Sequence, residues 1–126
     1  MAGTVGDLVV SNGYVEGNLS SVRALSKTAT ADAAAAGALP TVTFDASEIG
    51  GVLLGVGVKY GTTSPSELDA EVKDKDGLTL VSMTAEGRYK PDNGDSEPLA
   101  GDITIEDGGS NSTNSAEVTY TLYVMP

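Results

Sequence analysis

Leu68-Asp-Ala-Glu-Val-Lys-Asp-Lys-Asp-Gly-Leu-Thr-Leu-Val-Ser-Met-Thr84 is the stretch on which the fold turns. Its first half alternates without a slip, with Leu68, Ala70 and Val72 on one side and Asp69, Glu71 and Lys73 on the other. Period two marks a strand with one face in a core and one in water. Asp76-Gly77 follows, a dipeptide that tolerates the positive backbone angles of a tight hairpin. Leu78 to Thr84 then reads as the returning strand. Such a hairpin predicts an antiparallel all-β domain.

The pattern continues on both sides. Thr41-Val-Thr-Phe-Asp45 sets Val42 and Phe44 on one face. Val52 to Tyr60 is predicted to face Val52, Leu54, Val56, Val58 and Tyr60 one way. Gly55 and Gly57 then lie on the other face, where a bulky group can approach closely. Asp102-Ile-Thr-Ile-Glu106 buries Ile103 and Ile105, and Glu117 to Met125 sets Val118, Tyr120, Leu122 and Val124 against Thr119, Thr121 and Tyr123. Strands recur about every ten residues with turn formers between them, the rhythm of a compact antiparallel β-sandwich or small barrel. The gaps 61–67, 87–101 and 107–115 read as loops, and 87–101 is the longest, with two prolines.

The first forty residues read differently. Asp7 to Ser11 fits a short strand, and Leu19 to Ala31, ambiguous in period, tilts toward strand on its Ser and Thr content. Ala33–Ala36 are too few to hold a helix alone and read as a loop. Residues 1–18 carry four glycines and little large apolar surface, which predicts an extended N-terminal arm in need of another surface to order it. The expected division is an arm over 1–18 and a β-sandwich domain over 19–126. Leu8, Val9, Val10 and Tyr14 on the arm, with Tyr123 on the last strand, are the candidate partner-binding residues, since aromatic and apolar groups anchor contact centres.

Composition excludes much chemistry. The 126 residues include 18 Asp+Glu and 7 Lys+Arg, with no His, Cys or Trp. A disulfide framework, a thiolate metal site, a cysteine nucleophile and a histidine base are thereby absent. A net charge of −11 disfavours nucleic acid and anionic membranes as partners. The N-terminus lacks a basic start and a long apolar run, so no signal peptide is expected and synthesis in the cytoplasm is. The longest apolar stretch, Ile49 to Val58, is about half of a membrane span. Asp74-Lys-Asp76-Gly77 matches part of a calcium loop, but the position of the bidentate Glu is occupied by the run Leu-Thr-Leu-Val-Ser-Met, and a plain hairpin turn is the better reading. Asp92, Asp95 and Glu97 read as a solvated acidic loop. Asn18-Leu-Ser20 and Asn111-Ser-Thr113 match the glycosylation pattern by chance. No enzyme activity and no cofactor are expected.

Val56-Gly-Val-Lys-Tyr-Gly-Thr-Thr-Ser-Pro-Ser-Glu-Leu-Asp-Ala-Glu-Val-Lys-Asp-Lys-Asp-Gly77 resembles small virion proteins of tailed bacteriophages. Gly101-Asp-Ile-Thr-Ile105, Gly108-Gly-Ser-Asn-Ser112 and Thr121-Leu-Tyr123 extend the likeness over residues 49–125. The resemblance implies a structural component of the particle, above all a head decoration (cement) protein on the capsid surface, made in the host cytoplasm. Its implied partner is the major capsid protein, and it implies a homo-oligomer, a trimer in preference to a dimer. A tail or head–tail connector protein is the nearest alternative. A carbohydrate-binding or adhesion β-sandwich and a domain adapted to high salt belong to other classes.

Overall fold

The computed structural model describes residues 3–12, 22–33 and 39–125. The chain is all-β, and no helix occurs among the described residues. Its strands are β1 (Thr4–Val5), β2 (Val9–Asn12), β3 (Arg23–Thr30), β4 (Val42–Phe44), β5 (Gly51–Tyr60), β6 (Ala70–Lys73), β7 (Thr79–Met83), β8 (Gly87–Tyr89), β9 (Glu97–Leu99), β10 (Ile103–Asp107) and β11 (Glu117–Met125). The larger sheet runs β1-β3-β11-β5-β8, with β2 also on β3 and β9 also on β5; the smaller runs β4-β10-β6-β7. All pairings are antiparallel.

The two inner faces make one core. Leu25 and Ala29 of β3, Leu53, Val56 and Val58 of β5, and Val118, Tyr120, Leu122 and Val124 of β11 come from the larger sheet. Val42 and Phe44, Ala70 and Val72, Val81 and Met83, and Ile103 and Ile105 come from the smaller. The alternation read at 68–84 is therefore the alternation of the fold. The turn between β6 and β7 is closed by Asp74, whose Oδ1 accepts the backbone N–H of Asp76 (2.9 Å) and Leu78 (3.0 Å). Gly77, at φ +81, supplies the left-handed residue that an L side chain resists.

β5 departs from the expected facing. Leu53, not Leu54, is fully buried, and Leu54 is 36% exposed on the other face. The cause is a β-bulge: Tyr123 sits opposite Gly55 and Val124 opposite Leu53, so Leu54 is the extra residue. The bulge exchanges one leucine for the other as the inward partner of Val124 and costs roughly 0.5–1.5 kcal/mol for the ladder hydrogen bond it interrupts. A second bulge, between Val72 and Lys73, admits Leu80 as an extra residue on β7.

The segment 87–101 is not a free loop. Gly87–Tyr89 and Glu97–Leu99 lie as β8 and β9 along one edge of β5, end to end. Pro98 is accommodated because it stands on an edge strand, where a missing N–H removes no ladder bond. The turn between them closes with Gly94 N–H to Pro91 O at 2.8 Å. Short strands broken by two prolines carry too little alternation to be read from sequence.

Residues 4–12, within the expected arm, run antiparallel along β3 of the same chain, Thr4 opposite Thr30 and Asn12 opposite Arg23. Gly6 N–H to Thr28 O (2.8 Å) bridges the gap between β1 and β2. The surface this segment finds is thus its own larger sheet.

Candidate functional site

Two surfaces carry chemistry, one at each end of the larger sheet. At the first, β1 and β2 form the outermost pair, and nothing among the described residues pairs with their far side. Val5, Val9 and Val10 are exposed by 38%, 63% and 51%. Val9 lies opposite Ser26, an outer-face residue, and Val10 opposite the buried Leu25, so the two point to opposite sides of the sheet. Both remain wet because β2 overhangs the core. Leu8, by contrast, is partly buried and packs on the core. Tyr14 lies outside the described residues. The result is a flat, apolar strand edge with unpaired backbone groups, of the kind that adds a strand from another chain.

At the other end, the outer faces of β11, β5 and β8 meet around Tyr123. Its ring lies across Gly57, where an added Cβ would stand 3.3 Å from ring carbon Cε2 and from the hydroxyl. The Arg88 guanidinium covers it at 5.0 Å from the centroid, a cation–π contact. The bare glycine expected to admit a bulky neighbour thus admits an aromatic from the adjacent strand of the same chain. Gly55 is closed differently: the backbone oxygen of Tyr89 comes within 2.9 Å of where its Cβ would be. Tyr89 itself packs on the core, and its hydroxyl donates to Ala85 O at 2.8 Å, pinning the approach to β8. Lys59, Arg88 and Lys90 gather here. Sequence alone does not single them out, because the register of β8 on β5 is what brings them together.

The remaining polar clusters are structural. Lys27, an inward residue of β3, spans the sandwich and donates to Thr43 O (2.6 Å) and Glu48 Oε1 (3.0 Å), with its ammonium 5.2 Å from the Phe44 centroid. The backbone N–H of Asp45 (2.7 Å) and this lysine together hold the Glu48 carboxyl below its ordinary range. Asn111 is buried at 5% exposure; its Oδ1 accepts from Ser66 N–H (3.0 Å) and Thr113 N–H (3.1 Å), and its Nδ2 donates to Thr113 O (3.0 Å). It stitches the turns at 61–67 and 107–115 together, and a glycan has no room there. The acidic loop is likewise engaged: Asp92 accepts from Ser82 N–H (3.1 Å) and Oγ–H (2.9 Å), and Glu97 accepts from Asn93 Nδ2 (2.7 Å). Among the described residues no three acidic side chains converge on a metal position. No helix among them is long and apolar enough to cross a membrane. Comparison with known protein families, with curated proteins and with solved structures finds no match to this chain.

Proposed function

We propose that this chain is a structural protein of a tailed-bacteriophage particle, a decoration protein bound to the outer surface of the major capsid lattice. The observation that carries the reading is the overhanging edge of β1 and β2, with Val5, Val9 and Val10 exposed beside unpaired backbone groups. A strand or arm of a shell protein can extend the sheet there, drawing affinity from main-chain hydrogen bonds and specificity from the valines. The net charge of −11 keeps free subunits apart until they meet the lattice. Assembly as a small oligomer, a trimer by preference, multiplies such contacts. Two features weigh against the alternatives. Segment 87–101 lies flat on β5, leaving no long hairpin to reach a neighbouring ring of a tail tube. Tyr123 lies between Gly57 and Arg88, so its ring offers no free face for a sugar.

The test pairs stoichiometry with a charged edge. Peptide mass spectrometry of purified particles should find the chain in copy number comparable to the major shell protein; a far smaller number would indicate a connector. The double substitution Val9→Lys and Val10→Lys should leave the melting temperature within about 2 °C, as for exposed positions, and abolish attachment to undecorated heads. Wild-type attachment by that variant would refute the edge as the docking surface.

A further inference from the structure

The cationic residues of this acidic chain are unevenly used. Lys27, Lys73 and Lys75 are engaged by Glu48, Glu106 and Asp76, and Arg23 stands at the far side of the larger sheet, opposite Val124. Lys59, Arg88 and Lys90 form no ion pair among the described residues, and they share one face.

Their spacing is regular along the strand axis, with Lys59 on β5 and Arg88 and Lys90 one strand across, on β8 and its continuation. Lys59 lies opposite Thr119 on the outer face of β5, and Arg88 lies opposite Gly57. Lys90, two residues beyond Arg88, returns to the same face and stands beside Leu54. Projected on β5, the three charges fall at alternate residues, a repeat of about 6.6 Å. Between them Gly57 and Gly55 carry no side chain; the Tyr123 ring lies over the first and the Tyr89 carbonyl closes on the second, so the floor is low, part ring and part backbone. Hollows of about 480 Å³ between Lys59 and Arg88, 310 Å³ between Arg88 and Lys90, and 160 Å³ beyond Lys90 adjoin one another along the strand. The Tyr123 ring forms one wall and holds the Arg88 guanidinium, whose fork suits a carboxylate. The bulged Leu54 gives the Lys90 end an apolar contact.

We propose that this trough binds an extended acidic polypeptide segment of a partner protein, with three carboxylates on alternate residues facing Lys59, Arg88 and Lys90 and an apolar side chain against Leu54. An extended chain repeats its side chains at the same interval as the cation row. Glu86 at the Lys59 end and Asp95 at the Lys90 end repel a longer run of negative charge, which disfavours polyphosphate, nucleic acid and uniformly charged polysaccharide. The trough lies across the larger sheet from the β1/β2 edge and does not depend on the shell-attachment reading.

Fluorescence anisotropy of the full chain with labelled peptides tests this. The probe is Thr-Glu-Thr-Glu-Thr-Glu-Thr-Leu; the controls carry the three glutamates consecutively or have Lys in place of Glu. The alternating peptide should bind, the consecutive one about fivefold or more weakly, and the Lys peptide not at all. Lys59→Gln combined with Lys90→Gln should weaken the alternating peptide by about tenfold, two surface charge contacts within their usual range, with no change in melting temperature. Leu54→Ser should weaken it separately. Amide chemical-shift changes confined to β5, β8 and β11 would support the assignment. Absence of wild-type binding, equal affinity for the alternating and consecutive peptides, tighter binding of polyphosphate, or undiminished binding by the double lysine variant would each overturn it.

Discussion

Asn111 and Glu48 show how single side chains hold this fold where the apolar core does not reach. Asn111 bonds the backbone of two separate turns from a buried position. Asn111→Ala strands those groups away from water, and one such orphan costs about 1–3 kcal/mol. Chemical denaturation should show a loss in that range, while Asn93→Ala in the exposed acidic turn should cost under about 0.5 kcal/mol. Glu48 works through charge. Its folded carboxyl titrates below the ordinary 4.5, first because of the Asp45 N–H and then because of Lys27. A depressed carboxyl contributes stability above its unfolded pKa and loses it as pH falls through the folded one. The stability difference between wild type and Glu48→Gln should therefore be full at neutral pH and shrink on acidification below about 4.5. Denaturation midpoints at neutral pH and at successively lower pH would show it, and a difference that grows in acid would refute the pairing.

At the scale of elements, β5 is the strand whose reading succeeded in kind and failed in detail. Alternation over Val52 to Tyr60 identified the strand and placed Val56, Val58 and Tyr60 correctly, but a bulge is invisible to period counting because both phases of the pattern are apolar at Leu53 and Leu54. Gly55 and Gly57 are both places of close approach, with different consequences. Gly55→Ala sets a methyl against the fixed backbone oxygen of Tyr89 at 2.9 Å. Gly57→Ala meets the Tyr123 side chain at 3.3 Å, which can swing aside, and touches Thr121 Cβ at an ordinary 3.7 Å. Thermal melts should therefore rank Gly55→Ala as the more damaging, by about 1–3 kcal/mol, typical of overpacking. The hairpin of β6 and β7 and the strands β10 and β11 were legible because each alternates cleanly around a turn with specific chemistry. β8 and β9 were not, since three-residue strands take their state from the neighbour they lie on. The ambiguous segment before Ala31 became β3 for the same reason, its partners β11 and β2 deciding what its own period left open.

For the whole molecule, the candidate surfaces divide along the same line. The exposure of Val9 and Val10 was legible, because apolar residues in a glycine-rich stretch have no local core to enter. The cation row was not legible, because it depends on Arg88 landing opposite Gly57, a long-range register that no local pattern encodes. Charge is arranged to suit the two-ended shape. Acidic residues crowd the turns, while Lys59, Arg88 and Lys90 share one face of the larger sheet with an apolar edge at its opposite end. The molecule thus presents two different surfaces, one of backbone and valine, the other of charge.

The position of β11 has a kinetic consequence. It is the last strand in sequence, yet it lies between β3 and β5 and bonds to both along nearly its whole length. Ser26 and Thr121, joined across the β3–β11 seam at 2.7 Å, are 95 residues apart in the chain. Until residues 117–125 are in place, β3 with its N-terminal companions and β5 with β8 and β9 are two ribbons with open flanks and no common ladder. The smaller sheet, closed by residue 107, can form earlier and offers its apolar face as a template. Closing the larger sheet then resembles fastening a seam whose middle thread arrives last, and long-range pairing of this kind is intrinsically slow. A nascent chain still short of that thread exposes two sticky flanks, and the dense negative charge of the finished protein is already present to keep such chains apart.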